Sequence, residues 1–145
     1  MSPAETAEQS IAQPLVEIRD LYLEMVTLDG VAKVLNGVNL TVNRGDLLGL
    51  VGETGCGKSV TAMSIPQLVP QPPARYTGGD IRFLGEPVMG KSEEELRCLR
   101  AEHIGVIFQD PMTGLNPVFT VEEQMVDAIL SRQGAIDATN RKSVV

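Results

Sequence analysis

Residues 52–59 read Gly-Glu-Thr-Gly-Cys-Gly-Lys-Ser. This is the spacing G-x-x-x-x-G-K-S/T, which builds a cradle for a chain of phosphates. Gly52, Gly55 and Gly57 can take backbone angles closed to other residues, so the segment can wrap around an anion. Its N–H groups then point inward and form a concavity of positive potential. Lys58 supplies a mobile point charge for the terminal phosphates, and the Ser59 hydroxyl suits Mg2+. The candidate binding set is therefore Gly52, Glu53, Thr54, Gly55, Cys56, Gly57, Lys58, Ser59 and Val60. Lys58 is also a candidate catalytic group, and Ser59 a candidate metal ligand.

The flanks give the motif its setting. Leu47-Leu-Gly-Leu-Val51 reads as a short buried strand, and Ser59 to Ser64 as a helix. Strand, glycine loop and helix are the context that a phosphate loop requires. Pro66 cannot donate a helical hydrogen bond, so the helix either stops near Ser64 or kinks there.

Composition narrows the partners. A chain of 145 residues is enough for one domain with a moderate core. The net charge of -7 argues against a nucleic-acid partner, which would favour a basic surface. With 3% aromatic residues and no Trp, platforms for stacking bases are not expected either. Cys56 and Cys98 have no metal-ligand spacing and read as free thiols of a reducing cytoplasm. No apolar run approaches the length of a membrane span, and the N-terminus lacks the basic start and apolar middle of a secretory signal. A cytoplasmic location is expected.

The rest of the chain follows in order. Residues 1–13 are small and polar and read as a disordered tail. Leu15 to Leu23 reads as a strand, Asp29-Gly30 as a turn, and Val31 to Val42 as a second strand with a turn or bulge at Asn36-Gly37. Gly78 to Glu86 reads as an edge or antiparallel strand. Ser92 and Glu95 form a capping box opening a helix that faces Leu96 and Leu99 inward. Ile104 to Phe108 reads as a strand buried on both faces. Thr120, with Glu123, caps a last helix carrying Val121, Met125, Val126, Ile129 and Leu130. His103 reads as a surface residue.

The run Val106-Ile-Phe-Gln-Asp-Pro-Met-Thr-Gly-Leu-Asn-Pro117 resembles the Q-loop of the ATP-binding subunits of ABC transporters, most of all those driving oligopeptide, dipeptide and nickel importers. Residues 36–59 are similar to that family's approach to its phosphate loop, and residues 94–100 to the helix before its Q-loop. The resemblance spans about Leu15 to Leu130 and rests on two motifs in the correct order. It implies an α/β fold: the P-loop NTPase core of an ABC ATPase with an N-terminal antiparallel β subdomain, occupying residues 14–145 and incomplete at the C-terminus. It implies ATP and Mg2+ as cofactors. Gln109 would approach Mg2+ and the attacking water, as a catalytic and metal-site residue beside Lys58 and Ser59. The stretch after Gln109, through the helix from Val121, would help form the surface that docks on integral-membrane permease subunits. A second ATP-binding subunit would complete a dimer at the cytoplasmic face of the inner membrane.

Two departures stand beside the resemblance. The aromatic residue that the family often stacks on adenine is replaced by Met25, with Tyr22 offset from that place. The Leu-Ser-Gly-Gly-Gln signature, the strand ending in Asp-Glu and the switch His do not occur before Val145. Phosphoryl transfer depends on such positioning groups. The chain therefore reads as the N-terminal half of an ATPase, binding ATP but turning over little or none alone. The alternatives are a non-catalytic nucleotide-binding or permease-docking module and, less well matched because it lacks an Arg-rich lid, a small-molecule kinase.

Overall fold

Successive residues of a strand point to opposite faces, and β1 (Val16–Thr27) uses one face for the core. Val16, Ile18, Leu21 and Leu23 are buried there. The interval from Ile18 to Leu21 breaks the period of two, because β1 carries a bulge: Ile18 lies opposite Leu40 and Leu21 opposite Val38. Without the bulge, the second half of the strand would turn its leucines outward. Asn39 clasps the irregularity. The Asp20 amide donates to Asn39 Oδ1 at 3.0 Å, and Asn39 Nδ2 donates to Asp20 Oδ1 at 3.0 Å.

The computed structural model describes residues 13–28, 30–109 and 114–142, with side chains as far as 132. Apart from Gln13, the tail expected at 1–13 lies outside the described residues, as do Asp29 of the turn and residues 110–113. The described residues form two compact units, divided between Lys91 and Ser92.

In the first unit, β1 pairs antiparallel with β2 (Gly30–Val42) on one edge and β3 (Ala74–Phe83) on the other. β4 (Glu86–Pro87) pairs with β3, giving the order β2-β1-β3-β4. The expected bulge in β2 falls at Gly37, which is skipped between the pairs Leu21–Val38 and Tyr22–Asn36. β3 begins before the expected Gly78 and is flanked on both sides. Leu35, Val69, Ala74, Ile81, Phe83 and Val88 complete the core. Each fully buried leucine or isoleucine contributes about 1.5–3 kcal/mol. The opposite face is polar and carries the pairs Glu24–Arg75 (2.9 Å) and Asp80–Arg82 (2.8 Å). Such exposed pairs contribute little to stability. Helix α1 (Lys58–Ser64) stops at Ser64 rather than kinking, and the proline follows outside it.

In the second unit, α2 (Glu93–His103) has the expected capping box. The Ser92 amide donates to Glu95 Oε2 at 2.7 Å, and Leu96 is buried. Thr120 and Glu123 cap α3 (Val121–Lys142) in the same way, and that helix continues past Gly134 to a length of 22 residues.

Two expectations are overturned. Residues 47–51 and 104–108 are not strands, and no strand pairs with either among the described residues. Both runs lack regular secondary structure and are largely exposed; Val51 is 98% and Ile107 95% accessible. An apolar run becomes a buried strand only when strands flank its edges and layers cover its faces, and the described residues supply neither.

Gly79 has φ 91°, and a side chain there would collide with the Asp20 carbonyl. Gly90 has φ 84° but open space around it. Gly79→Ala is expected to cost more than about 3 kcal/mol in urea unfolding, and Gly90→Ala only the left-handed strain of about 1–2 kcal/mol. The Glu123 carboxyl is held below its usual range by the Thr120 amide and then the Thr120 hydroxyl. A depressed folded-state pKa means that the cap is intact above the unfolded-state value. It is lost as pH falls through the lower, folded value. Thr120 amide exchange should accelerate across that acid window and become pH-insensitive there, beyond intrinsic exchange, in Glu123→Gln.

Candidate functional site

The candidate phosphate loop, residues 52–59, closes on its own lysine. Lys58 Nζ donates to the Gly52 carbonyl at 2.7 Å, to the Glu53 carbonyl at 2.5 Å and to Cys56 Sγ at 3.4 Å. An ammonium has three donors, and the loop engages all of them. A Cβ at Gly52 would lie 2.8 Å from Cys56 Sγ, so a side chain there would push the thiol away from Lys58. At the far end Gly57 is buried, with φ 92°. A Cβ on it would stand 2.9 Å from Leu35 Cδ2 and 3.0 Å from the Val34 carbonyl. From the helix side, the Thr61 hydroxyl and amide both donate to the Gly57 carbonyl, at 3.0 and 2.8 Å.

Leu35 is paired with Leu23, and directly opposed residues of an antiparallel pair share a face. The loop's end at Gly57 therefore meets the core face of the sheet. Met25 lies two residues beyond Leu23 and shares that face; it is half-buried, opposite buried Ala74. Tyr22 lies on the other face, 41% accessible. Its ring covers Gly78, where a Cβ would be 3.3 Å from Cδ2, and its hydroxyl reaches over Gly37. Tyr22 is thus spent on covering backbone, and of the two residues Met25 is the one on the loop's side. Tyr76, opposite Leu23, leans toward the end of α1. Burial pushes its phenol above the ordinary value, against the lowering effect of the Ser64 and Gln67 side chains. Its hydroxyl is enclosed without a well-formed hydrogen bond.

Glu53, Thr54, Cys56 and Ser59 are exposed, and Val60 is half-buried. Gln109 is exposed in the second unit, at the end of the apolar run 104–108, whereas the loop belongs to the first unit. Asp110 lies outside the described residues. Cys56 and Cys98 are free thiols. Among the described residues no group of three or more His, Cys, Asp or Glu could hold a metal ion. The donors present instead fit a phosphate-bound Mg2+: one hydroxyl at Ser59, with the remaining oxygens left to phosphate and water. Sequence reasoning missed Thr61 and Leu35. A Thr in the first helical turn, four residues after Gly57, was a usable signal, since its hydroxyl can bond back to the carbonyl four residues earlier. Leu35 carried no local signal.

An α/β chain with a glycine-rich loop of this spacing beside an antiparallel sheet has the features of the P-loop fold class. The ABC transporter family matches residues 35–144, and the chain belongs to that family. It is 45% identical over 118 residues to a probable peptide ABC transporter ATP-binding protein, y4tR, of Sinorhizobium fredii, covering 81% of this chain and 35% of that one. It is 37% identical to the oligopeptide transport ATP-binding protein OppD of Bacillus subtilis, covering 90% of this chain and 37% of the relative. It is 43% identical to the probable D,D-dipeptide transport ATP-binding protein DdpD of Escherichia coli, covering 85% and 38%. The chain therefore spans under two fifths of the length of these relatives. Its fold is similar to that of the ATP-binding cassette MJ0796, solved as a dimer bound to ADP and Pi, with a TM-score of 0.58 at 20% identity over 84% of this chain and 54% of that one.

The Thr61 hydroxyl is buried and its bond to Gly57 is local. Thr61→Val keeps the shape and removes the bond, so it should lower stability by about 0.5–1.5 kcal/mol in chemical denaturation.

Proposed function

We propose that the chain is the nucleotide-binding part of an ABC importer's ATP-binding subunit, which couples ATP binding and hydrolysis to uptake of peptides or a related solute. The observation that carries this reading is the loop from Gly52 to Ser59, folded around the Lys58 ammonium in a chain of the ABC transporter family. In the proposed mechanism the backbone from Gly52 to Val60 receives the phosphates. Lys58 exchanges its longest bond, to Cys56 Sγ, for a phosphate oxygen, a charge-assisted and stronger partner. Ser59 would hold Mg2+, which would supply neutralisation of phosphate charge, and Gln109 would serve the metal and the attacking water. Met25 packs against the base as a polarizable side chain. Permease subunits and a second ATP-binding subunit are the proposed partners, at the cytoplasmic face of the inner membrane. Peptide as the solute is supported by the relatives named for peptide, oligopeptide and dipeptide transport.

Equilibrium binding of a fluorescent ATP analogue with Mg2+ tests the reading. Lys58→Ala should weaken binding by at least about tenfold, the worth of one charge-assisted contact. Unchanged binding would remove the loop from the proposed role. Bound Mg·ATP should also slow alkylation of Cys56 and leave Cys98 unaffected, as read by peptide mass spectrometry. For the solute, cells lacking the gene should lose uptake of a labelled oligopeptide; intact uptake would count against peptides.

A further inference from the structure

We infer that Leu35 is a positioning residue for the phosphate loop, fixing Gly57 from beneath through its side chain; this rests on the nucleotide-binding reading of the loop. β2 is irregular at this point. Leu23 pairs with Leu35 and Glu24 with Lys33, so Val34 is an extra residue left out of the β1 ladder. A bulge of this kind re-aims the backbone, and such bulges recur beside functional sites. Here it lies under the loop. Apart from its chain neighbours, Leu35 Cδ2 and the Val34 carbonyl are the two described groups within 4 Å of the position a Gly57 side chain would occupy. Leu35 is itself locked, 3% accessible. The loop's other root has no such hold from the sheet: Val51 is 98% accessible, residues 47–51 pair with no described strand, and the Gly52 carbonyl is tied to the loop's own Lys58. Within the first unit the loop is therefore held at its C-terminal end, between Leu35 below and Thr61 above. Small displacements of a binding group weaken ligand contacts severely, so the support beneath Gly57 bears on affinity as well as stability.

Leu23 is the matched control. It is fully buried, lies directly opposite Leu35, and has no atom within 4 Å of that position. In the full chain, Leu35→Val withdraws the Cδ2 group and Leu23→Val makes the same change beside it. We expect Leu35→Val to speed amide exchange at Gly57 and Lys58 about tenfold more than Leu23→Val, after correction for global stability measured in urea. Mg·ATP should bind Leu35→Val about fivefold more weakly and Leu23→Val within about twofold of the parent. Leu35→Met, which keeps the volume, should restore both readouts. From the loop side, Gly57→Ala should shift the Leu35 methyl resonances and spare those of Leu23. Equal loop exchange in the two valine variants, or unmoved Leu35 methyls in Gly57→Ala, overturns the proposal. A parent chain that fails to bind Mg·ATP overturns the nucleotide reading instead, while exchange and methyl shifts still decide whether Leu35 holds the loop.

Discussion

β1 is hydrogen-bonded on both edges, and the first unit depends on that double pairing. Its buried face aligns Leu21 with Val38 of β2, and Leu23 with Leu35 of β2 and Tyr76 of β3, so a slip of one residue would send the leucines to solvent. The bulge at Asp20 is what keeps them in phase. Asn39 on β2 satisfies the displaced backbone, and Gly79 on β3 leaves room for the Asp20 carbonyl. Three strands thus meet at one irregular point. From it the order passes along β1 to Leu23, across to Leu35, and up to Gly57.

The electrostatics of the loop run against those of the chain. A net charge of -7 repels an anionic ligand at long range, and salt screens that repulsion over about 8–10 Å. Close attraction then has to come from a cation held in place. Lys58 is held by two carbonyls and a thiol. The carbonyl bonds are short and the thiol bond long, so a third partner is available at the smallest cost to the loop. Cys56 matters in this arrangement as a weak acceptor near the ammonium, whatever its reactivity as a thiol.

What was legible in the sequence was local. The capping boxes at Ser92 and Thr120 depend on residues three apart, and both formed. The stop at Ser64 follows from Pro66. The β1–β2 pairing follows from two β-rich runs joined by a turn. Burial is a non-local property, and there the reading failed. Leu47 to Val51 and Ile104 to Phe108 have the composition of buried strands without described neighbours to bury them. The start of β3 was hidden for a related reason. Gly78-Gly79 looks like a strand boundary, yet both residues sit inside the strand, one beneath the Tyr22 ring and one against Asp20. Within the site, the motif announced Lys58 and Ser59, whereas Leu35 could be found only from its distance to Gly57.

The exposed apolar ribbon at residues 47–51 also has a consequence in time. The antiparallel sheet draws its strands from residues 16–87 and is complete without the ribbon. Nearby pairings close faster than distant ones. The β1–β2 hairpin, joined across Thr27 and Gly30, is therefore the early pairing, and β3, whose Phe83 must reach back past the ribbon to Val16, the late one. Unpaired apolar edges invite association between chains. The interval between the two events is when newly made molecules are most exposed to one another.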